Sequence, residues 1–178
     1  MSSKRLLAIL SPLLLLSCGV DTFETTVQGS TKVDGAPGLL KLLPAFAPFE
    51  GLTNLDFSSN QEFENQGVDK SDVDSVKVTR LTLKIASPSD QDFSFLESLR
   101  FYAAADGKRA LVAKKDGIDK LDLRAPNPVL VFDLEDVELA PFVSAPSMSI
   151  EVEGTGRQPE SDTTLEAEVT LRVDVNVF

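Results

Sequence analysis

Histidine is absent from all 178 residues. That removes the commonest general base, the Ser-His and Cys-His nucleophile pairs and the commonest metal ligand. Phosphate-cradling loops of the GxxxxGK(S/T) or GxGxxG kind are also missing. Carboxylate, Ser-Lys or tyrosine chemistry needs none of these, yet no spacing in the chain marks it, and the sequence is read as non-catalytic. Positive charge is scarce as well: 17 Lys and Arg stand against 28 Asp and Glu, a formal charge of −11. Such a surface disfavours nucleic acid, whose binding needs Lys and Arg at phosphates, and docking on anionic lipid heads. The acids themselves form no ion cage. "VDKSDVDS" (68–75) lacks the D-x-(D/N)-x-(D/N)-G spacing of a calcium loop and reads as a loop or helix cap, while "DLEDVE" (133–138) reads as a solvated face. No metal and no diffusible cofactor is expected.

Long apolar runs are equally rare. Leu6 to Leu16 is one, eleven residues interrupted by Ser11 and Pro12, and it is too short to span a bilayer, which takes ~20 residues. Lys4 and Arg5 precede it and no acid occurs before Asp21, so residues 1–17 have the charged start and apolar core of a signal peptide. The single cysteine, Cys18, follows small Ser17. Leu15-Leu16-Ser17-Cys18 resembles the lipobox of bacterial lipoproteins, with an aliphatic residue three places before the cysteine and a small one directly before it. The resemblance covers residues 1 to about 20. It implies cleavage between Ser17 and Cys18, diacylglycerol on the Cys18 thiol, and an N-acyl chain, palmitate for instance, on the new amine. It also implies a protein held on a membrane of the cell envelope without spanning it. Gly19 stands where aspartate marks inner-membrane retention in that family, so the expected location is the outer membrane, on its periplasmic face or at the cell surface, rather than the inner membrane. Cleavage would remove two basic residues and no acid, taking the formal charge from −11 to −13. With Cys18 acylated no thiol is left for a disulfide, and the fold must hold by packing.

Past the leader, alternation dominates. Leu165, Ala167, Val169, Leu171, Val173, Val175 and Val177 interleave with Glu166, Glu168, Thr170, Arg172, Asp174 and Asn176, the pattern of a half-buried strand. Met148, Ile150 and Val152 alternate with Ser149, Glu151 and Glu153, and the turn-rich stretch between suggests a hairpin over 147–177. Phe23, Thr25, Val27, Thr31 and Val33 share one parity, with Gly29 read as a kink or bulge. A parity change between Val78 and Leu81 suggests a bulge near Thr79-Arg80. Asp106-Gly107 inside 99–113 signals a second hairpin, and 129–134 is a further strand. Short helical turns are expected near 70–75, 93–98 and 136–142. Together these predict a mostly β chain: one immunoglobulin-like antiparallel β-sandwich over 23–178, following a lipidated cysteine and short tether at 18–22. The strand spacing is loosely similar to late-embryogenesis-abundant type 2 (water-stress) domains, an architectural analogy without diagnostic residues. A lipid-facing barrel strand at the C-terminus is disfavoured, because Asn176, Asp174 and Arg172 share the parity of Phe178, which is read as an edge contact.

One segment departs from the pattern. "GLLKLLPAFAPFEGL" (38–52) is the most apolar stretch after the leader, and Pro44 and Pro48 forbid a long helix within it. It is read as a loop or short helix covering an open end of the sandwich, with Leu39, Phe46 and Phe49 as candidate contacts for a partner or ligand and Leu39 and Leu43 favoured for burial. Two functions stay open: an anchored, non-catalytic interaction or structural subunit of an envelope, surface or export assembly, or a lipoprotein that binds a hydrophobic small molecule or lipid.

Overall fold

The computed structural model describes residues 21–37, 41–43 and 45–176. Ser17, Cys18, Leu39, Pro44 and Phe178 lie outside them. Among the described residues eight strands form: β1 (Thr22–Val33), β2 (Val73–Ser87), β3 (Leu96–Ala105), β4 (Lys108–Asp116), β5 (Val129–Val131), β6 (Asp133–Leu134), β7 (Ser149–Gly156) and β8 (Thr163–Val175). They make two four-stranded antiparallel sheets, ordered β1-β8-β2-β5 and β6-β4-β3-β7. The chain is an antiparallel β-sandwich with a few short helical turns, as its alternation predicts. No helix among the described residues is long and apolar enough to cross a membrane.

β8 lies at the centre of the first sheet, between β1 and β2. Its odd-numbered residues from Leu165 to Val175 are buried, and its even ones face outward, as strict period-two patterning requires. The expected 147–177 hairpin is corrected by the structure: β7 pairs with β3 in the second sheet, and residues 157–162 carry the chain across to β8 in the first. Alternation fixes the face a strand buries and is silent about which neighbour it takes, so the two strands looked like partners. The 129–134 strand likewise divides. Phe132 is buried at the break, so that β5 extends the first sheet beside β2 and β6 the second beside β4. This crossing closes one side of the sandwich.

The β3–β4 turn is made by Asp106 and Gly107, both with positive φ (50° and 72°), the backbone an inverse-type hairpin turn needs. The bulge expected near Thr79-Arg80 is present between Val78 and Arg80. Gly29 is no kink: β1 pairs with β8 in unbroken register from Thr22 to Val33. Its lack of a side chain serves a close approach, because a Cβ there would sit 2.5 Å from the Glu50 carbonyl and 2.6 Å from Leu52 Cγ. Helical turns appear at Lys70–Asp72, Phe93–Phe95 and in α2 (Ala140–Val143), with further ones at Phe57–Ser59, Ile118–Lys120 and in α1 (Gln61–Gln66).

Candidate functional site

Opposite the β5/β6 crossing, the sandwich would be open between β1 and β7, the outer strands of the two sheets. Residues 41–43 and 45–55 fill that opening as a strap, along the side between the sheets and not over an end of the sandwich. Ser30 of β1 exchanges both backbone hydrogen bonds with Glu50 (2.9 and 2.7 Å), Ile150 of β7 donates to the Leu52 carbonyl at 2.7 Å, and Leu55 and Met148 exchange another pair. Nearer the other end, Leu43 N donates to the Gly156 carbonyl and Gln158 N to the Lys41 carbonyl. These bonds satisfy polar backbone at Lys41, Leu43, Glu50, Leu52 and Leu55, while Phe49 and Leu52 turn inward.

This placement corrects the expected exposure of Phe49. Phe49 is only 1% exposed and lies between the sheets, its ring 6.2 Å from Phe101 and 6.5 Å from Phe46. The adjacent Glu50 pairs with β1, which directs its neighbour into the core. Phe46 is half-buried against Gly154, where a Cβ would come within 2.6 Å of its ring. Leu43 is half-buried and packs on the core. The exposed member is Leu42, 87% accessible, which bridges to Arg157 and so shares that residue's face. Nothing in the bare sequence separates Leu42 from Leu43, because the pairing partner that sets their faces lies more than a hundred residues away.

Two grooves adjoin the strap. The larger, about 560 Å³, lies at the end where β1 and β7 finish and β8 begins. Asp90, Asp92, Glu160 and Ser161 line it with Arg157, and Leu42 stands beside that arginine. Asp92 is held below the usual carboxylate range by hydrogen bonds from the Ser94 hydroxyl and N–H. Arg157 donates to the Ser94 carbonyl at 3.4 Å. The smaller groove, about 300 Å³, is cut where the strap meets β1 on the outer face of the first sheet. It carries Glu50, Glu166 and Glu168 against one cation, Lys84, whose ammonium lies 2.8 Å from Glu166 and is held above its ordinary pKa by that hydrogen bond and charge. Both grooves are predominantly polar. In the larger groove the Ser94 hydroxyl lies on the Asp92 carboxylate, and both grooves offer hydrogen bonding and negative charge.

At the end where β1 begins, Asp56 accepts from the Ser58 hydroxyl and N–H and from Lys70. Those bonds, the hydroxyl first, lower its pKa from 3.8 to about 2. Glu138 ties α2 to β2: its carboxylate accepts from Val76 N, Ala140 N and the Ser75 hydroxyl. These roles are structural.

No family model matches the chain, and no curated protein matches it. Among solved structures, the decameric BFDV capsid protein is similar at a TM-score of 0.38 and 12% identity, covering 87% of this chain and 98% of that one. The 60-mer of the BFDV capsid protein gives 0.37 and 11%, covering 86% and 93%. A Cocksfoot mottle virus chain gives 0.30 and 9%, covering 100% and 97%. At such TM-scores these likenesses carry no argument about what this chain does.

Proposed function

We propose that the protein is a lipid-anchored envelope lipoprotein acting as a non-catalytic interaction or structural subunit of an envelope, surface or export assembly. The observation that carries this reading is the sequence Leu15-Leu16-Ser17-Cys18 at the end of a short apolar run, with the only cysteine of the chain at the position lipidation would use. Two acyl chains hold a protein on a bilayer stably, since each buried methylene adds about 0.8 kcal/mol. The anchor would sit close to the domain. The Asp21 carbonyl accepts from Val175 N, and the three peptide units from Cys18 to Asp21 reach at most roughly 10 Å. A partner would therefore meet the domain at the membrane, on the outer membrane if the Gly19 rule applies. The interaction reading is preferred over binding of a hydrophobic small molecule because Phe49, Leu52 and Phe101 fill the space between the sheets and the grooves beside the strap are polar.

Metabolic labelling with a radioactive or clickable fatty acid tests the anchor. The wild-type chain should take up label, and Cys18→Ser should not. Equal labelling of both, or of neither, would remove the lipoprotein reading.

A further inference from the structure

The strap covers only part of β1. In an antiparallel pair, a strand's residues alternate between pointing both backbone groups at one neighbour and at the other. Two bonds fix that alternation here. Asp21 turns its carbonyl to β8, where Val175 N donates to it, and Ser30 turns both its groups the opposite way, to Glu50. The register with β8 is unbroken between them, so Thr22, Glu24, Thr26 and Gln28 also face away from β8. Gln28 is already shielded: its carbonyl lies 2.4 Å from where a Cβ of Gly51 would be, so the strap reaches that far. Beyond it, among the described residues, no backbone group outside β8 bonds the N–H or C=O of Glu24 or Thr26, and both residues are exposed. The first five residues of β1 are thus an unpaired strand edge, on a sheet whose opposite edge, β5, is only three residues long.

An edge of this kind is a template for another extended chain, whose main-chain groups supply the missing ladder bonds. The charge beside it selects the chain. Where the open edge ends, the 300 Å³ notch presents Glu50, Glu166 and Glu168 with Gln28 and Ser30, and Lys84 offsets one carboxylate. Gln28 donates to Glu168 at 2.9 Å, whereas Glu50 has no side-chain partner among the described residues. Glu24, whose carboxylate accepts from the Thr79 hydroxyl at 3.4 Å across β8, adds a further negative charge to the outer face beside the edge. Resting on the interaction reading above, we propose that Thr22–Thr26 pairs with an extended segment of a partner protein, and that a lysine or arginine of that segment enters the notch beside Glu50. A second copy of this chain is the poorer occupant: pairing two β1 edges about Glu24 sets like charges opposite one another, and β1 carries no cation before Lys32 to fill the notch.

The edge can be tested before any partner is known. Hydrogen exchange on the purified full chain should show fast amides at Glu24 and Thr26 and slow ones at Phe23, Thr25 and Val27. Thr26→Pro should leave the melting temperature near wild type, since proline is tolerated on a strand where its missing N–H faced solvent. Thr25→Pro, which removes a ladder bond to β8, should lower it markedly. Protected amides at Glu24 and Thr26, or a Thr26→Pro chain that fails to fold, would overturn the open edge. The occupant is then read by photocrosslinking in the native cells, with p-benzoylphenylalanine placed at Glu24 and, as controls, at Leu42 and Glu160. The expected adduct at position 24 maps to a Lys- or Arg-bearing segment of another protein and falls ~tenfold in both Thr26→Pro and Glu50→Lys chains, as loss of one or two hydrogen bonds or a charge pair requires. An adduct insensitive to both changes, an adduct to a second copy, or none at position 24 would overturn the proposal. Adducts at Leu42 or Glu160 with none at position 24 would leave the interaction reading standing and sink this one alone.

Discussion

Phe49 and Leu42 sit seven residues apart on one strap and carry opposite burdens. Phe49 fills space between the sheets against Phe101, and removing its ring leaves a cavity the surrounding strands cannot close. Phe49→Ala should therefore cost about 3–5 kcal/mol in chemical denaturation. Leu42→Ser should change stability by less than about 0.5 kcal/mol, since that side chain is already in water. A reversal of that order would mean the strap is seated the other way round. Asp56 gives a residue-scale test of charge. Its folded-state pKa, about 2, lies below its ordinary 3.8, so its ionised form is favoured in the native state by the Ser58 and Lys70 hydrogen bonds. A depressed carboxylate stabilises above its unfolded pKa and loses that contribution as pH falls through the folded one. Acid titration of stability should thus show a loss between pH 3.8 and about 2 that is smaller in Asp56→Asn. Identical acid limbs in the two proteins would show that Asp56 does not contribute there.

Among elements, the strap depends on a single missing side chain. Gly29 lets the Glu50 carbonyl and Leu52 come against β1, and because the first contact is backbone it cannot swing aside. Gly29→Val should force the strap outward, costing about 1–3 kcal/mol and speeding amide exchange at Ser30 and Glu50 while the β3–β4 hairpin keeps its protection. A variant as stable as wild type would show that strap and strand are less tightly joined than the Ser30–Glu50 hydrogen bonds require. The same element shows where the large side chains of a run rich in leucine and phenylalanine go. Its apolar side chains are turned to the core by pairings at Leu43, Glu50, Leu52 and Leu55, leaving Leu42 outside.

The whole molecule is closed by its ends. β1 and β8 pair along twelve residues although Thr22 and Asp174 are separated by nearly the full chain, and β2 flanks β8 on the other side. Loop-closure entropy must be met before such contacts form, so refolding after dilution from denaturant should take milliseconds to seconds rather than microseconds. Deleting residues 163–178 should abolish the cooperative transition, because it takes an inner strand from the first sheet and leaves the backbone edges of β1 and β2 that paired with it unsatisfied. A truncated chain that still melted cooperatively would show that the second sheet folds by itself.

What the sequence determined by itself was local. Period-two alternation set the inward face of β1 and β8, Asp106-Gly107 set the β3–β4 turn, and the parity change after Val78 set the bulge in β2. Each follows from neighbouring residues and the geometry of an extended backbone. The short apolar run and Cys18, on which the proposed anchor rests, are likewise local residue types. Tertiary structure decided the rest. It sent β7 and β8 to different sheets, broke 129–134 at Phe132, put Phe49 inside and Leu42 outside, and left the edge of Glu24 and Thr26 uncovered where the strap stops. None of these has a local signal. Alternation says which side of a strand is apolar, whereas which strand lies beside it, and whether anything covers its edge, depends on contacts with residues far along the chain.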